Sequence, residues 1–353
     1  MHTLKNNFHG QKLQVRYTFA RLRVMRAKLI TKHEYHKLLK MDLAEITRYL
    51  QDSNYKDSLT KLSVKYEGME LVEQALRRNQ RLTFAKLRRI SPGPVINIID
   101  LYLMRYDFQN LKVVLRGIYS NADKETVKRL VETVGRYSNS FYIQLFETGE
   151  IEKAIKKAGF VKMSDIQPGL KKFKEDNQLV ELENQLDRIY YMQAVECTKE
   201  LNSYGQRFKD LLLRNVDVVN IKNLLRFKQE GLNAKEIMNY MIFSGEHFSQ
   251  AKLSQLANEA SVNEIIKSLQ QSSFNKYVEI KEDDAIFDIE TKLDTYLIKQ
   301  ALKKNYRNIM SINTVLVFLI SKVNEIRNLG QSSSQSILGL APNLLNKSCW
   351  WYK

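Results

Sequence analysis

The chain has 353 residues, 44% of them hydrophobic, which is enough apolar surface to exclude a disordered polypeptide. Proline occurs only at Pro92, Pro94, Pro168 and Pro342, a scarcity that favours helix. The net charge of +17 calls for an acidic partner without choosing among nucleic acid, anionic lipid headgroups and an acidic protein face.

Residues 1–40 concentrate that charge, with ten Lys or Arg against the single acid Glu34, a local +9. The opening MHTLKNNFHGQK has no apolar core or small-residue cleavage site of a signal peptide. The helical segment QKLQVRYTFARLRVMRAKLITKH puts Leu13, Tyr17, Ala20, Val24 and Leu29 toward one side and Arg16, Arg23, Arg26 and Lys28 largely elsewhere. The readings are a core helix with a solvated basic face, a basic face that meets an acidic partner or anionic headgroups, and, with no groove-reading motif or stacking platform beside it, a nucleic-acid-binding face. His33 and His36 lie at i, i+3 without an HExxH pattern or a third ligand, so they read as surface residues.

One pattern then recurs three times. LAEITRYLQDSNY from Leu43, IEKAIKKA from Ile151 and VNEIIKSLQQSSF from Val262 align Leu50, Ala158 and Leu269. Each is amphipathic, as Val262, Ile265, Ile266 and Leu269 illustrate. EQALR from Glu73, ENQLD from Glu183 and ETKLD from Glu290 form the second landmark, with Leu76, Leu186 and Leu293 spaced 110 and 107 residues apart. In the third, DFQNLKVVLR and DVVNIKNLLR place Asn110 and Asn220 each 34 residues beyond its leucine, and NEIRNL places Glu325 at 32. Asp107, Asn110, Lys112 and Arg116 thus match Asp217, Asn220, Lys222 and Arg226, with Glu325, Arg327 and Asn328 in the looser third copy.

The unit is a helical lobe of roughly 110 residues, giving expected lobes 1–120, 121–230 and 231–353 in an all-α chain, with internal breaks at SPGP 91–94, QPG 167–169 and Gly245. The repeated polar residues serve either inter-lobe hydrogen bonding or a partner-facing ring.

Catalytic patterns are missing. The glycines form neither GxxxxGK[ST] nor GxGxxG, and no GxSxG elbow occurs. His247 reads as a plain surface loop residue. Cys197 reads as a packed thiol in an apolar-patterned helix, and Tyr190–Tyr191 reads as core packing. Cys197 and Cys349 suggest neither a disulfide framework nor a zinc site, which fits a reducing compartment. The most apolar stretches, 95–104 and 312–323, fall short of the roughly 20 residues needed to span a bilayer.

YTFARLRVMRAKLI at 17–30 resembles the opening of the C-subunit family of archaeal-type rotary ATP synthases, related to the eukaryotic d subunit. LLKMDLAEITRYLQDSNY, DFQNLKVVLRG, DVVNIKNLLRFKQEGL and VNEIRNL resemble its later motifs in order, so the resemblance covers about residues 13–330. It implies a pseudo-threefold funnel of three helical lobes seated between the central axle of the D and F subunits and the membrane proteolipid ring. One copy per complex would sit peripherally on the cytoplasmic side, without catalytic, cofactor or metal residues. Arg21, Arg23 and Arg26, with the repeated polar residues, are the candidate interaction or inter-lobe positions. A basic helical nucleic-acid-binding protein is the alternative that charge alone supplies. After Asn328–Leu329 the tail 330–353 departs from the family pattern, with Ser332–Ser334 as a polar interruption.

Overall fold

A computed structural model describes residues 2–303 and 312–338. The elements begin with α1 (His2–Ala27), α2 (Lys32–Leu38), α3 (Leu43–Gln51), α4 (Lys56–Leu62) and α5 (Gly68–Ile90). There follow α6 (Gly93–Tyr119), α7 (Lys124–Leu130), α8 (Asn139–Phe146), α9 (Ile151–Ala158), α10 (Met163–Asp176) and α11 (Leu179–Lys199). The last are α12 (Asn202–Gln229), α13 (Ala234–Asn239), α14 (Gln250–Ala257), α15 (Val262–Gln271), α16 (Asn275–Val278), α17 (Ile286–Lys303) and α18 (Ile312–Leu338). The described residues form no strand, and the fold is all-α as the sequence predicts.

Contacts gather the chain into two units, residues 1–99 with 301–353, and residues 100–300. The expected lobe edges at 120 and 230 fall just past the ends of α6 and α12.

In the first unit α2 and α3 start at side-chain caps. Thr31 accepts from Glu34 N at 3.3 Å while Glu34 accepts from Thr31 N at 2.6 Å, and Asp42 and Glu45 do the same for α3. Such reciprocal bonds satisfy N–H groups that a helix start leaves over. The free oxygen of Glu34 accepts from Tyr49 Oη at 2.8 Å, so the lone acid of the basic segment is engaged by the fold. Ile46 and Leu50 of α3, Leu59 of α4, and Val72, Ala75 and Leu76 of α5 pack into one core with Tyr35, Tyr55 and Leu329. Leu329 belongs to α18, so the C-terminal helix completes the core of the N-terminal segment.

In the second unit, α12 to α17 share a core in which Ile221, Leu225, Ile265, Leu269, Ile289 and Leu293 are fully or almost fully buried. The aligned Leu50, Ala158 and Leu269, and likewise Leu76, Leu186 and Leu293, are all buried. The SPGP break separates α5 from α6, and Gly245 lies in the loop between α13 and α14.

QPG is different, because Pro168 and Gly169 lie inside α10. Proline there leaves only the Ser164 carbonyl without its intrahelical donor. Gly169 serves packing, since a Cβ on it would stand 3.2 Å from Leu182 Cα of α11. The polar Ser332–Ser334 stretch also stays within α18, and buried Ser333 donates to the Leu329 carbonyl at 2.9 Å, which satisfies its hydroxyl. Residues 339–353 of the tail lie outside the described residues.

Replacing Leu329 by Ala removes a fully buried side chain from the joint core of α18 with α2 to α5. The expected loss is about 2–5 kcal/mol in urea unfolding. A loss under about 1 kcal/mol would show that α18 does not complete that core.

Candidate functional site

The repeated polar residues of α6 and α12 bind segments of their own unit. Asn110, almost fully buried, donates Nδ2 to the Glu132 carbonyl at 2.8 Å and accepts Glu132 N–H through Oδ1 at 2.8 Å. Asn220 clamps Ile242 in the same way, at 2.8 and 2.9 Å, again 22 residues further on. A carboxamide carries both a donor and an acceptor, so it can bind the N–H and the C=O of one residue, which belong to two consecutive peptide groups.

One turn earlier on each helix stands an aspartate. Asp107 accepts Arg136 N–H at 3.0 Å and Tyr142 Oη at 2.6 Å. Desolvation pushes its carboxyl above the ordinary value, against the opposing pull of these donors. Asp217, fully buried, accepts the N–H groups of Glu246 at 3.0 Å, His247 at 2.9 Å and Phe248 at 3.3 Å. The loops approach so closely that a Cβ on Gly135 would lie 2.2 Å from Asp107 Oδ1, and one on Gly245 2.0 Å from Asp217 Oδ1. Each glycine immediately precedes the first donor, so the turn can close only without a side chain.

The outer parts of the motif are ion pairs. Lys112 reaches Asp187 at 2.7 Å, and Arg116 holds Glu183 by Nε at 2.6 Å and Nη2 at 2.5 Å. Lys222 meets Asp294 at 2.6 Å, and Arg226 grips Glu290 in the same bidentate manner. Rising numbers on one helix meet falling numbers on the other, the order of antiparallel helices. These bonds link the second and third landmarks of the repeat, a pairing the sequence signals by opposite charges at matched i, i+4 spacing.

The third copy uses a different chemistry. Glu325 occupies the asparagine position and accepts Ile30 N–H at 2.7 Å and Tyr55 Oη at 2.5 Å. Lys322, at the aspartate position, donates to Glu325 at 2.6 Å and to Tyr55 Oη at 2.9 Å, and both ionic side chains are only 4% exposed. Burial first, and then Glu325, pushes the Tyr55 phenol well above its ordinary range, so it stays a donor to the carboxylate. The sequence reading missed Lys322 and Tyr55. Arg327 is exposed and Asn328 is fully buried. Arg77 stands where Asp187 and Asp294 stand in the other copies, and two cations cannot form the pair made by Lys112 and Lys222.

Other expectations need correction. On α1 the buried stripe is Thr18, Phe19 and Leu22, flanked by half-buried Val15, Met25 and Leu29, and Thr18 Oγ1 donates to the Ile90 carbonyl at 2.6 Å. Tyr17, Ala20 and Val24, expected in the core, are exposed. The helix carries two apolar stripes, and the bulkier one fills the interior. Leu13 lies outside the residues whose side chains are described. Arg23 and Arg26 are exposed, Arg21 half-buried.

Cys197 is exposed rather than packed, and burial of part of its surface followed by Glu200 and Glu196 raises its thiol above the ordinary value. His247 is no plain surface residue, because its Nδ1 pairs with Asp217 at 2.9 Å. His33 and His36 are exposed, and no metal-holding group of His, Cys, Asp or Glu occurs among the described residues. Tyr190 and Tyr191 pack edge-on with ring centroids 4.8 Å apart, as expected of core residues.

A helix bundle whose repeated polar side chains bind its own backbone and helices defines a scaffold. A model of the ATP synthase (C/AC39) subunit family matches residues 18–330. The A-type ATP synthase C subunit of Methanosarcina acetivorans is 32% identical over 315 residues, covering 89% of this chain and 86% of its own length. That of Methanococcoides burtonii is 30% identical, covering 91% and 89%, and that of Haloferax volcanii 26%, covering 93% and 95%. The chain belongs to the ATP synthase (C/AC39) subunit family.

Gly245→Ala drives a methyl group into Asp217 and is expected to cost about 2 kcal/mol or more, because a buried carboxylate loses N–H donors. Gly330→Ala, where a Cβ inside α18 meets nothing within 4 Å, is the control that should cost nothing in the same thermal unfolding assay. Glu325→Gln strands the buried Lys322 ammonium and is expected to cost about 3–5 kcal/mol in denaturant titration. Adding Lys322→Met should recover part of that loss; additive losses would refute the pairing.

Proposed function

We propose that the chain is the non-catalytic spacer of the central stalk in an A-type rotary ATP synthase. It joins the axle of the D and F subunits to the membrane proteolipid ring and carries torque between ion flow and the catalytic head. One copy serves each complex, as a funnel of three helical lobes, peripheral on the cytoplasmic side of the membrane. Family membership across residues 18–330 carries this reading. No helix among the described residues is long and apolar enough to cross a membrane, which suits a peripheral position.

The mechanical role asks for lobes that do not shear. Asn110, Lys112, Arg116 and their counterparts Asn220, Lys222 and Arg226 fix helix to helix and helix to loop, and Glu325 fixes α18 to Ile30 and Tyr55. Arg21, Arg23 and Arg26 of the basic helix α1 form the contact side in this reading.

Deletion of the gene from the host tests the role. Membranes should keep ATP hydrolysis by the head but lose ATP-driven ion pumping, and the tagged chain should restore pumping and purify with D, F and the ring. Pumping that survives the deletion, or a tagged chain that never enters the complex, would overturn the reading.

A further inference from the structure

Counted in heptads, the exposed stripe of α1 is regular. Tyr17 and Val24 occupy a positions, and Ala20 and Ala27 occupy d positions. Tyr17 is 53% and Val24 55% exposed, and both alanines are exposed. The flanks are basic, with Arg16 and Arg23 at g and Arg21 at e, and Lys28 follows in the turn just past the helix end. Among the described residues none of these four cations forms an ion pair, while Lys112, Arg116, Lys222 and Arg226 all do. The opposite side of α1 is occupied, with Thr18, Phe19 and Leu22 buried against the unit. In a two-helix seam, a and d supply the apolar contact while e and g select the partner by charge.

We propose that this face of α1 is a docking seam for one acidic helix, with apolar residues at a and d and Glu or Asp at e and g. A second copy of this chain is excluded by charge, since like cations would face each other along the seam. The chain's own residues 339–353 hold two lysines and no acid, so they do not complement it either. A membrane-surface helix carries Trp, Phe or Leu on its apolar side, whereas this stripe is Tyr, Ala, Val and Ala. The alanines at alternate layers allow a partner backbone to approach closely. The seam rests on the reading of α1 as a contact side of the stalk subunit, and a synthetic partner tests it apart from any complex, so its failure leaves the stalk assignment standing.

The probe is a labelled helix of about three heptads with Val at a, Leu at d and Glu at e and g, titrated into the full chain and read by fluorescence anisotropy. The expected result is one-to-one binding that weakens about tenfold or more between low salt and roughly 0.5 M. Ala20→Glu should abolish it, and Arg16→Glu with Arg23→Glu should weaken it by about tenfold, as paired e and g charges demand. All three positions are exposed, so helical content and melting temperature should stay unchanged in these variants. Equal binding of a scrambled peptide of the same charge would overturn the seam, as would no binding. Capture by phosphatidylglycerol vesicles without capture of the helix would also overturn it, in favour of a lipid-facing surface.

Discussion

A polar side chain that points into a helical core must find partners there, and in this protein the search determines where the next loop goes. Asn110 and Asn220 each demand one donor and one acceptor, and the backbone N–H and C=O of a single residue 22 positions later provide both. Asp107 and Asp217 demand N–H groups, which come 29 residues later from Arg136 and Glu246. With these two distances fixed, the loop that follows α7 or α13 has little freedom in where it runs before α8 or α14 begins. An unsatisfied buried carboxylate or amide costs several kcal/mol against a net stability of about 5–15. The loops follow the side chains.

The third copy meets the same demand under a different connectivity. Ile30, whose N–H Glu325 accepts, is 295 residues away in sequence and precedes the helix instead of following it. Where the other copies offer a neutral amide to one residue's backbone, α18 offers a carboxylate to one N–H, balances its charge with Lys322 and satisfies it further with the Tyr55 hydroxyl. Ion burial costs more than amide burial, so the arrangement depends on every member being present. The two ends of the chain are held together by a cluster with no spare partner, while loop-closure entropy grows only slowly with such a long separation.

Much of this was legible in the sequence because the repeat keeps both residue type and spacing. The helices at Leu43, Ile151 and Val262 were read from aligned, amphipathic segments, and Leu76, Leu186 and Leu293, read only as aligned landmarks, lie in the core. What was hidden depends on distances between segments. Periodicity cannot tell which of two apolar stripes on α1 turns inward, because Tyr17, Ala20 and Val24 satisfy the helical period as well as Phe19 and Leu22 do. His247 sits in a polar loop and reads as surface until Asp217 is brought beneath it. Cys197 has apolar neighbours along the chain, yet its own position on α11 faces outward. Pro168 and Gly169 read as a break because the close neighbour that makes glycine useful, Leu182, lies on the next helix.

Comparing the copies also ranks the interactions. Arg116 is 62% exposed and Arg226 58%, and ion pairs in such settings contribute about 0–1 kcal/mol. Asn110, Asn220 and Glu325 are almost completely buried, where losing one partner costs about 1–3 kcal/mol for an amide and more for a charge. The third copy has lost the outer Lys–Asp pairing, with Arg77 in place of the acid, but has kept a buried polar group that binds the neighbouring segment. Exposed pairs therefore help to select the register of antiparallel helices, while the buried clamps fix loop segments to the helices that carry them. A body that bears load across its helices depends on the second of these, since salt screens the first and leaves the second largely untouched.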